Sequence, residues 1–152
     1  MLIKVYGELI VVDYIYNIGK IYSNKFYDDE DDDGEYKSSF QINFLNQKSI
    51  EFYTYTKRYE PTGLEDKIVD EICLENNLEK NDYQGEAWIK LFRSKKFNLK
   101  YNKYHKNVLL PMCIDELKNV QNFITIAIQK FQDNNISKIE TLDYPKYTNF
   151  KY

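Results

Sequence analysis

Phe40, Ile42 and Phe44 fall on alternate positions, as do Ile50 and Phe52, whereas Ile114, Leu117, Val120, Ile124, Ile128 and Phe131 recur at steps of three and four. Two periods in one short chain leave few architectures open, because alternation puts a buried face on a strand while the longer period puts a buried stripe on a helix. Phe40, Ile42 and Phe44 alternate with Gln41 and Asn43, Asn46-Gln47 turns the chain, and Ile50 and Phe52 alternate with Glu51 and Tyr53. A slip of one residue would expose every one of these side chains, so the pattern predicts an antiparallel hairpin with one covered face. Gly7-Glu8 separates Leu2–Tyr6 from Leu9–Tyr16 and predicts an earlier hairpin. No connection within the first 58 residues is long enough to hold a crossover helix, which argues against parallel pairing there.

After Arg58 the period lengthens. Thr62-Gly63-Leu64-Glu65 has the spacing of a capping box, Leu64, Ile68 and Ile72 with Val69 and Cys73 form a stripe, and Asn76-Asn77 is a stop, predicting a helix over 63–77. Ile114, Leu117, Val120, Ile124, Ile128 and Phe131 predict a longer one over 112–133, opened by Pro111 and closed by Asp133-Asn134-Asn135. Residues 86–104 alternate again: Ala87, Ile89 and Leu91 against Trp88, Lys90 and Phe92, then Phe97, Leu99 and Tyr101. This reads as a hairpin turning at Ser94-Lys95-Lys96, with a helix through Trp88, Leu91 and Phe92 as the competing reading. Ile136–Tyr152 has no sustained period and is expected to be a strand returning to the sheet or an aromatic tail. The expected fold is α+β: one domain over 1–152, with a twisted antiparallel sheet and both helices packed on one face. Ile42, Phe44, Ile50, Phe52, Ile68, Ile72, Leu117, Val120, Ile124, Ile128 and Phe131 should form the core, with Trp88 at the boundary between sheet and helices.

The chain has 152 residues, enough to bury a core without disulfide or metal staples. No apolar run approaches the roughly 20 residues of a spanning helix. Met1–Tyr6 lacks the pattern of a signal peptide, so a cytoplasmic location is expected. Cys73 and Cys113 each sit at an apolar helical position and read as small buried hydrophobes rather than a disulfide. Tyr occurs 15 times while Arg occurs only at Arg58 and Arg93. Together with the abundant Lys, Asn and Ile this matches the codon usage of an AT-rich bacterial or phage genome. The tyrosines also suit a contact surface, since each offers a large ring with a polar tip.

The net charge of −3 hides two opposed blocks. Asp28, Asp29, Glu30, Asp31, Asp32, Asp33 and Glu35 put seven carboxylates in eight residues, a run that must be solvated or neutralised. Asp29, Asp31, Asp33 and Gly34 match the opening half of an EF-hand calcium loop, but the closing bidentate acid would fall on Phe40. The run reads as a solvated hairpin loop, or as an arm that offers carboxylates to a basic partner. Between residues 86 and 107 the local charge is +6, with Lys90, Arg93, Lys95, Lys96, Lys100, Lys103 and Lys106 interleaved with rings that include Tyr101 and Tyr104. Cations with aromatics are what a single-stranded nucleic-acid surface needs. On a hairpin, the same lysines would be the polar edge of a strand.

Catalytic parts are scarce. His105 is the single histidine, the five glycines are isolated, and neither a Cys-x-x-Cys pair nor a Gly-x-Ser-x-Gly elbow occurs. Cys113 with His105 is a conceivable nucleophile and base, eight residues apart. No cofactor is implied. In size, acidity and residue usage the chain resembles toxin-immunity proteins and the phage or mobile-element inhibitors of host nucleases, CRISPR nucleases included, although no motif carries the likeness. The expectation is a stoichiometric, non-enzymatic inhibitor that docks through Asp28–Glu35 on a protein partner with a basic surface. The alternative is a nucleic-acid-binding accessory protein using residues 86–107.

Overall fold

The computed structural model describes residues 1–25, 35–77, 94–134 and 139–144. Its content is α+β, and its contacts divide the chain into two compact units. The first takes Met1–Ser23, Ser38–Thr54 and Cys113–Thr148, and the second takes Asn24–Lys37, Tyr55–Met112 and Asn149–Tyr152.

In the first unit, β1 (Leu2–Val5) and β2 (Glu8–Val11) pair antiparallel, with Val5 opposite Glu8. The two residues between them, Tyr6 and Gly7, both have positive φ (51° and 84°), the twist that joins two strands without splaying them. The turn therefore sits one residue earlier than Gly7-Glu8. β7 (Glu140–Leu142) returns to lie parallel to β1, Ile3 opposite Glu140, and the Tyr6 N–H donates to the Leu142 carbonyl at 2.9 Å. A parallel strand is allowed here because it arrives only after the long helical connection. Lys130 holds Glu140 in an ion pair from the neighbouring helix.

β5 (Tyr36–Phe44) is paired with three other strands: β3 (Ile15–Ile18), β4 (Tyr22–Lys25) and β6 (Ser49–Tyr55). Ile18 stands opposite Ile42, the Gly19 N–H donates to the Gln41 carbonyl at 2.7 Å, and the Ser23 and Ser38 hydroxyls share a 2.8 Å hydrogen bond. β3 and β4 thus follow one another along a single edge of β5. A bulge at Tyr16 shifts the register between Ile15 and Asn17. The β5–β6 turn is closed by Asn46, whose side-chain oxygen accepts from the Lys48 N–H. Alternation along β5 and β6 is as expected: Phe40, Ile42 and Phe52 are buried, and Phe44 and Ile50 pack partly buried beside them.

α3 (Leu110–Gln132) supplies the other side of this core through Leu117, Val120, Ile124 and Ala127, with Ile128 and Phe131 at its margin. Ile3, Val5, Ile10 and Val12 from the first hairpin complete it. The helix begins earlier than Pro111. It is continuous with α2 (Lys95–Tyr104) through a π-helical turn over His105–Leu109, where the Leu110 N–H reaches back five residues to the His105 carbonyl. A proline inside a helix removes one N–H and crowds the carbonyl four residues back, and a widened turn just upstream relieves that crowding.

α2 corrects the expected hairpin over residues 95–104. Phe97 and Tyr101 are four apart and share the buried face, while Leu99, which alternation would bury with them, is 70% exposed. Ser94 caps the helix by accepting from the Phe97 N–H at 3.2 Å. Residues 86–93, Trp88 among them, lie outside the described residues. In the second unit α1 (Leu64–Glu75) sets its stripe of Leu64, Ile68, Val69, Ile72 and Cys73 against Phe97 and Tyr101 of α2. The cap position of α1 falls on Gly63, in the left-handed region at φ 82°, one residue after Thr62. Both cysteines are buried and not joined in a disulfide.

Candidate functional site

The densest buried polar cluster joins two pairs of residues, each four apart. Thr56 opens the 3-10 turn Thr56–Tyr59 at the end of β6, and Glu60 follows that turn. Tyr101 and His105 lie one helical turn apart at the end of α2. His105 Nδ1 is 2.8 Å from Thr56 Oγ1, and Nε2 is 3.2 Å from Glu60 Oε2. The Tyr101 hydroxyl donates to the same Glu60 oxygen at 2.6 Å, and its ring lies 4.4 Å from the imidazole between centroids. The Tyr36 N–H donates to Thr56 Oγ1 at 2.9 Å. An ionised carboxylate can only accept, so Nε2 carries a proton, while Thr56 Oγ1 accepts from the Tyr36 N–H and shares a further hydrogen bond with Nδ1.

Burial works against the charge of Glu60, yet hydrogen bonds from His105 and Tyr101, with the nearby positive charge of Lys57, outweigh it and hold the carboxyl below its ordinary value. The neighbouring Glu65 goes the other way: burial first, and then the charge of Glu60, raise it. The order hydroxyl, imidazole, carboxylate is that of a nucleophilic relay. Thr56 and His105 are both fully buried, so the hydroxyl faces protein rather than a substrate. What the arrangement does is tie the turn after β6 to the end of α2. It also removes His105 as a partner for Cys113, since both ring nitrogens are engaged and Cys113 is itself buried.

A second, partly buried pair sits in the first unit, where the Tyr6 hydroxyl donates to Glu116 Oε1 at 2.9 Å and the Tyr6 ring stacks on Tyr144. Among the described residues no group of three His, Cys, Asp or Glu side chains converges as a metal site. No helix of the described residues is long and apolar enough to cross a membrane.

The acidic positions Asp28, Asp29, Glu30, Asp31, Asp32 and Asp33 lie outside the described residues, and with them the calcium-loop reading; Glu35 lies just before β5. Lys90 and Arg93 also lie outside. Of the remaining basic-segment residues, Lys106 falls on the π-helical turn and the others on α2, but they do not act alike. Tyr101 is buried in the α1–α2 core with its hydroxyl on Glu60, and Tyr104 is partly buried against the same core with the Lys67 ammonium 6.0 Å over its ring. Neither ring is laid open for a base to stack on. Lys100 is paired with Glu75 at 2.7 Å and approaches Glu71, and the Glu75 hydrogen bond raises its pKa. Lys96 donates to Asn76, while Lys95 and Lys103 are exposed.

Sequence reasoning overlooked Thr56 and Glu60, which bond Tyr101 and His105 across 41 to 49 positions. The tyrosines that composition offers as contact residues include, in the first unit, Tyr14, Tyr16, Tyr22 and Tyr53, from β3, β4, β6 and the turn before β3, which are 49–71% exposed. No protein-family model matches the chain, and comparison with curated proteins and with solved structures finds no significant match.

Proposed function

We propose that the protein is a small, non-enzymatic binding protein that docks on a nuclease, toxin or nucleic-acid-handling complex with a basic surface and blocks it stoichiometrically. The observation that carries this reading is where the chemistry-bearing side chains lie. His105, Cys73 and Cys113 are buried, and both nitrogens of His105 are bonded within the fold. In the first unit Tyr14, Tyr16, Tyr22 and Tyr53 are exposed, and tyrosine is enriched among the residues that dominate the energetics of protein interfaces. The carboxylates of residues 28–35 add charge complementarity, which speeds encounter with a basic partner and fixes its register.

The test is affinity capture from the source cells with the native chain and with a variant carrying Asp29, Asp31, Asp32 and Asp33→Asn. The captured protein is then titrated with the purified chain in its own activity assay. The expected result is inhibition that breaks at one equivalent and is weakened, with a flatter salt dependence, in the variant. Equal capture and equal inhibition by the variant would sink the charge-steered part of the reading. A captured protein whose activity the chain leaves unchanged would sink the inhibitor reading itself.

A further inference from the structure

No Asp or Glu occurs between Glu86 and Asp115, and the middle of that stretch forms α2 and the π-helical turn after it. At about 100° per residue, Lys95, Lys96, Leu99, Lys103 and Lys106 fall within about 100° of helix circumference. All five are exposed. Phe97, Tyr101 and Tyr104 occupy the opposite side, against α1. The geometry points to a face of α2 and its continuation that binds nucleic acid by the phosphate backbone, through Lys95, Lys96, Lys103 and Lys106, with no base stacked. This goes beyond the inhibitor reading, because it needs no protein partner.

Three observations carry it. The first is how the acids of α1 are distributed among these lysines. Glu71 and Glu75 engage Lys100, which lies at the rim of the arc, whereas among the described residues Lys95, Lys103 and Lys106 have no carboxylate within ion-pairing distance. The second is that the arrangement is unfavourable for the helix alone. Lys95 and Lys96 stand in a first turn that holds no acid, where the helix dipole favours negative charge, and Lys103 and Lys106 are like charges three residues apart. A line of phosphates turns both penalties into attractions. The third is length: Lys95 to Lys106 covers about 16 Å of helix axis, which matches four or five phosphates of one strand at about 3.4 Å of axis each.

The buried rings decide the mode of binding. A single-strand surface works by stacking bases on exposed aromatics, and the aromatics of the described part of this segment are in the core. What is left is the sequence-independent, backbone-directed half of recognition. An anionic membrane would also attract the lysines, but a helix that lies on a bilayer needs an apolar face, and within this arc only Leu99 is apolar.

The experiment is fluorescence anisotropy with a labelled duplex of about 20 base pairs and an oligo-dT of the same length, over a salt series from about 50 to 200 mM. Phosphatidylserine vesicles form a third arm, read by co-sedimentation. Four phosphate contacts predict a slope of log K against log salt of about −3 to −4 on duplex, hence about a 100-fold loss across that range. Lys95→Ala/Lys103→Ala/Lys106→Ala should flatten the slope by about 2 to 3 and weaken binding more than about tenfold at the lowest salt. Lys100→Ala, whose ammonium is already paired, should leave the slope unchanged. These side chains are exposed or lie at the edge of the helix, and a circular-dichroism melt confirms that each variant is folded. No binding to either nucleic acid at the lowest salt would overturn the proposal. So would an equal loss with Lys100→Ala, which would mean diffuse attraction, and so would binding confined to single strands or to vesicles.

Discussion

Replacing Glu60 with Gln keeps the shape of the side chain and removes its charge, so it isolates what the carboxylate does for Thr56, Tyr101 and His105. One Glu60 oxygen accepts from the Tyr101 hydroxyl at 2.6 Å and from His105 Nε2 at 3.2 Å. Hydrogen bonds to a charged group contribute about 1.5–3 kcal/mol each. The longer bond belongs at the low end, the amide oxygen of Gln retains part of both, and the carboxylate is 15% exposed and so partly screened. A net loss of about 2 kcal/mol near neutral pH follows, or about 4–8 °C in Tm for a chain of this length. The pH dependence gives the sharper test. The folded carboxyl lies below its ordinary value, so its contribution is fully present above the ordinary glutamate pKa of about 4.3 and is lost as pH falls through the folded value. Native and Glu60→Gln chains should therefore differ most near pH 7 and converge in acid, as followed by thermal melts at a series of pH values. Equal Tm at pH 7, or a gap that stays constant into acid, would refute the charge-based account of the cluster. Because His105 is the single histidine, one imidazole signal in a nitrogen-15 NMR spectrum reports its tautomer, and the bonding pattern requires the proton on Nε2.

Gly19→Ala would place a methyl carbon 3.1 Å from the Gln41 carbonyl oxygen, a backbone atom held in the β3–β5 pairing. Overpacking of this kind costs about 1–3 kcal/mol, to be read as a lowered urea midpoint with an unchanged slope. Along α3, Leu117→Ala should cost about 2–5 kcal/mol by emptying a fully buried position. Ile126→Ala, nine residues on and 45% exposed, should stay within about 0.5 kcal/mol. Equal effects of the two would contradict the assignment of the buried stripe.

The α+β class, the β5–β6 hairpin and the α1 and α3 stripes were legible because each is written in a run of residues whose burial follows one period. The pattern misled at Phe97, Leu99 and Tyr101. Three apolar residues two apart satisfy a strand, but the pair four apart satisfies a helix equally well, and only burial tells that Leu99 belongs to neither core. Pro111 misled for a different reason. Proline is favoured at the first turn of a helix, and no local signal announces that the chain upstream is already helical and widens over His105–Leu109 to admit it. β7 was half legible, since Glu140–Leu142 is too short for a period to show and its partner β1 lies at the other end of the chain.

The polar cluster was illegible because its bonds join residues 41 to 49 positions apart, and no spacing rule operates over such distances. Its consequence for function is nonetheless direct. A lone histidine in a lysine-rich segment invites a catalytic or nucleic-acid role from sequence. Once Thr56 and Glu60 occupy both its nitrogens and Tyr101 covers its ring, that invitation passes to the residues left outside. On α2 those include Lys95, Lys96 and Lys103, and in the first unit they include tyrosines of one four-stranded sheet and the turn that leads into it. Lysines alone favour a phosphate backbone, which presents charge and little else. Exposed tyrosines favour a partner with a surface to desolvate, where an aromatic ring contributes area and a hydroxyl finds an acceptor. Over residues 94–107, the described part of the segment that reads as one nucleic-acid surface in the sequence, Phe97 and Tyr101 go to the core while Lys95, Lys96, Lys103 and Lys106 stay outside.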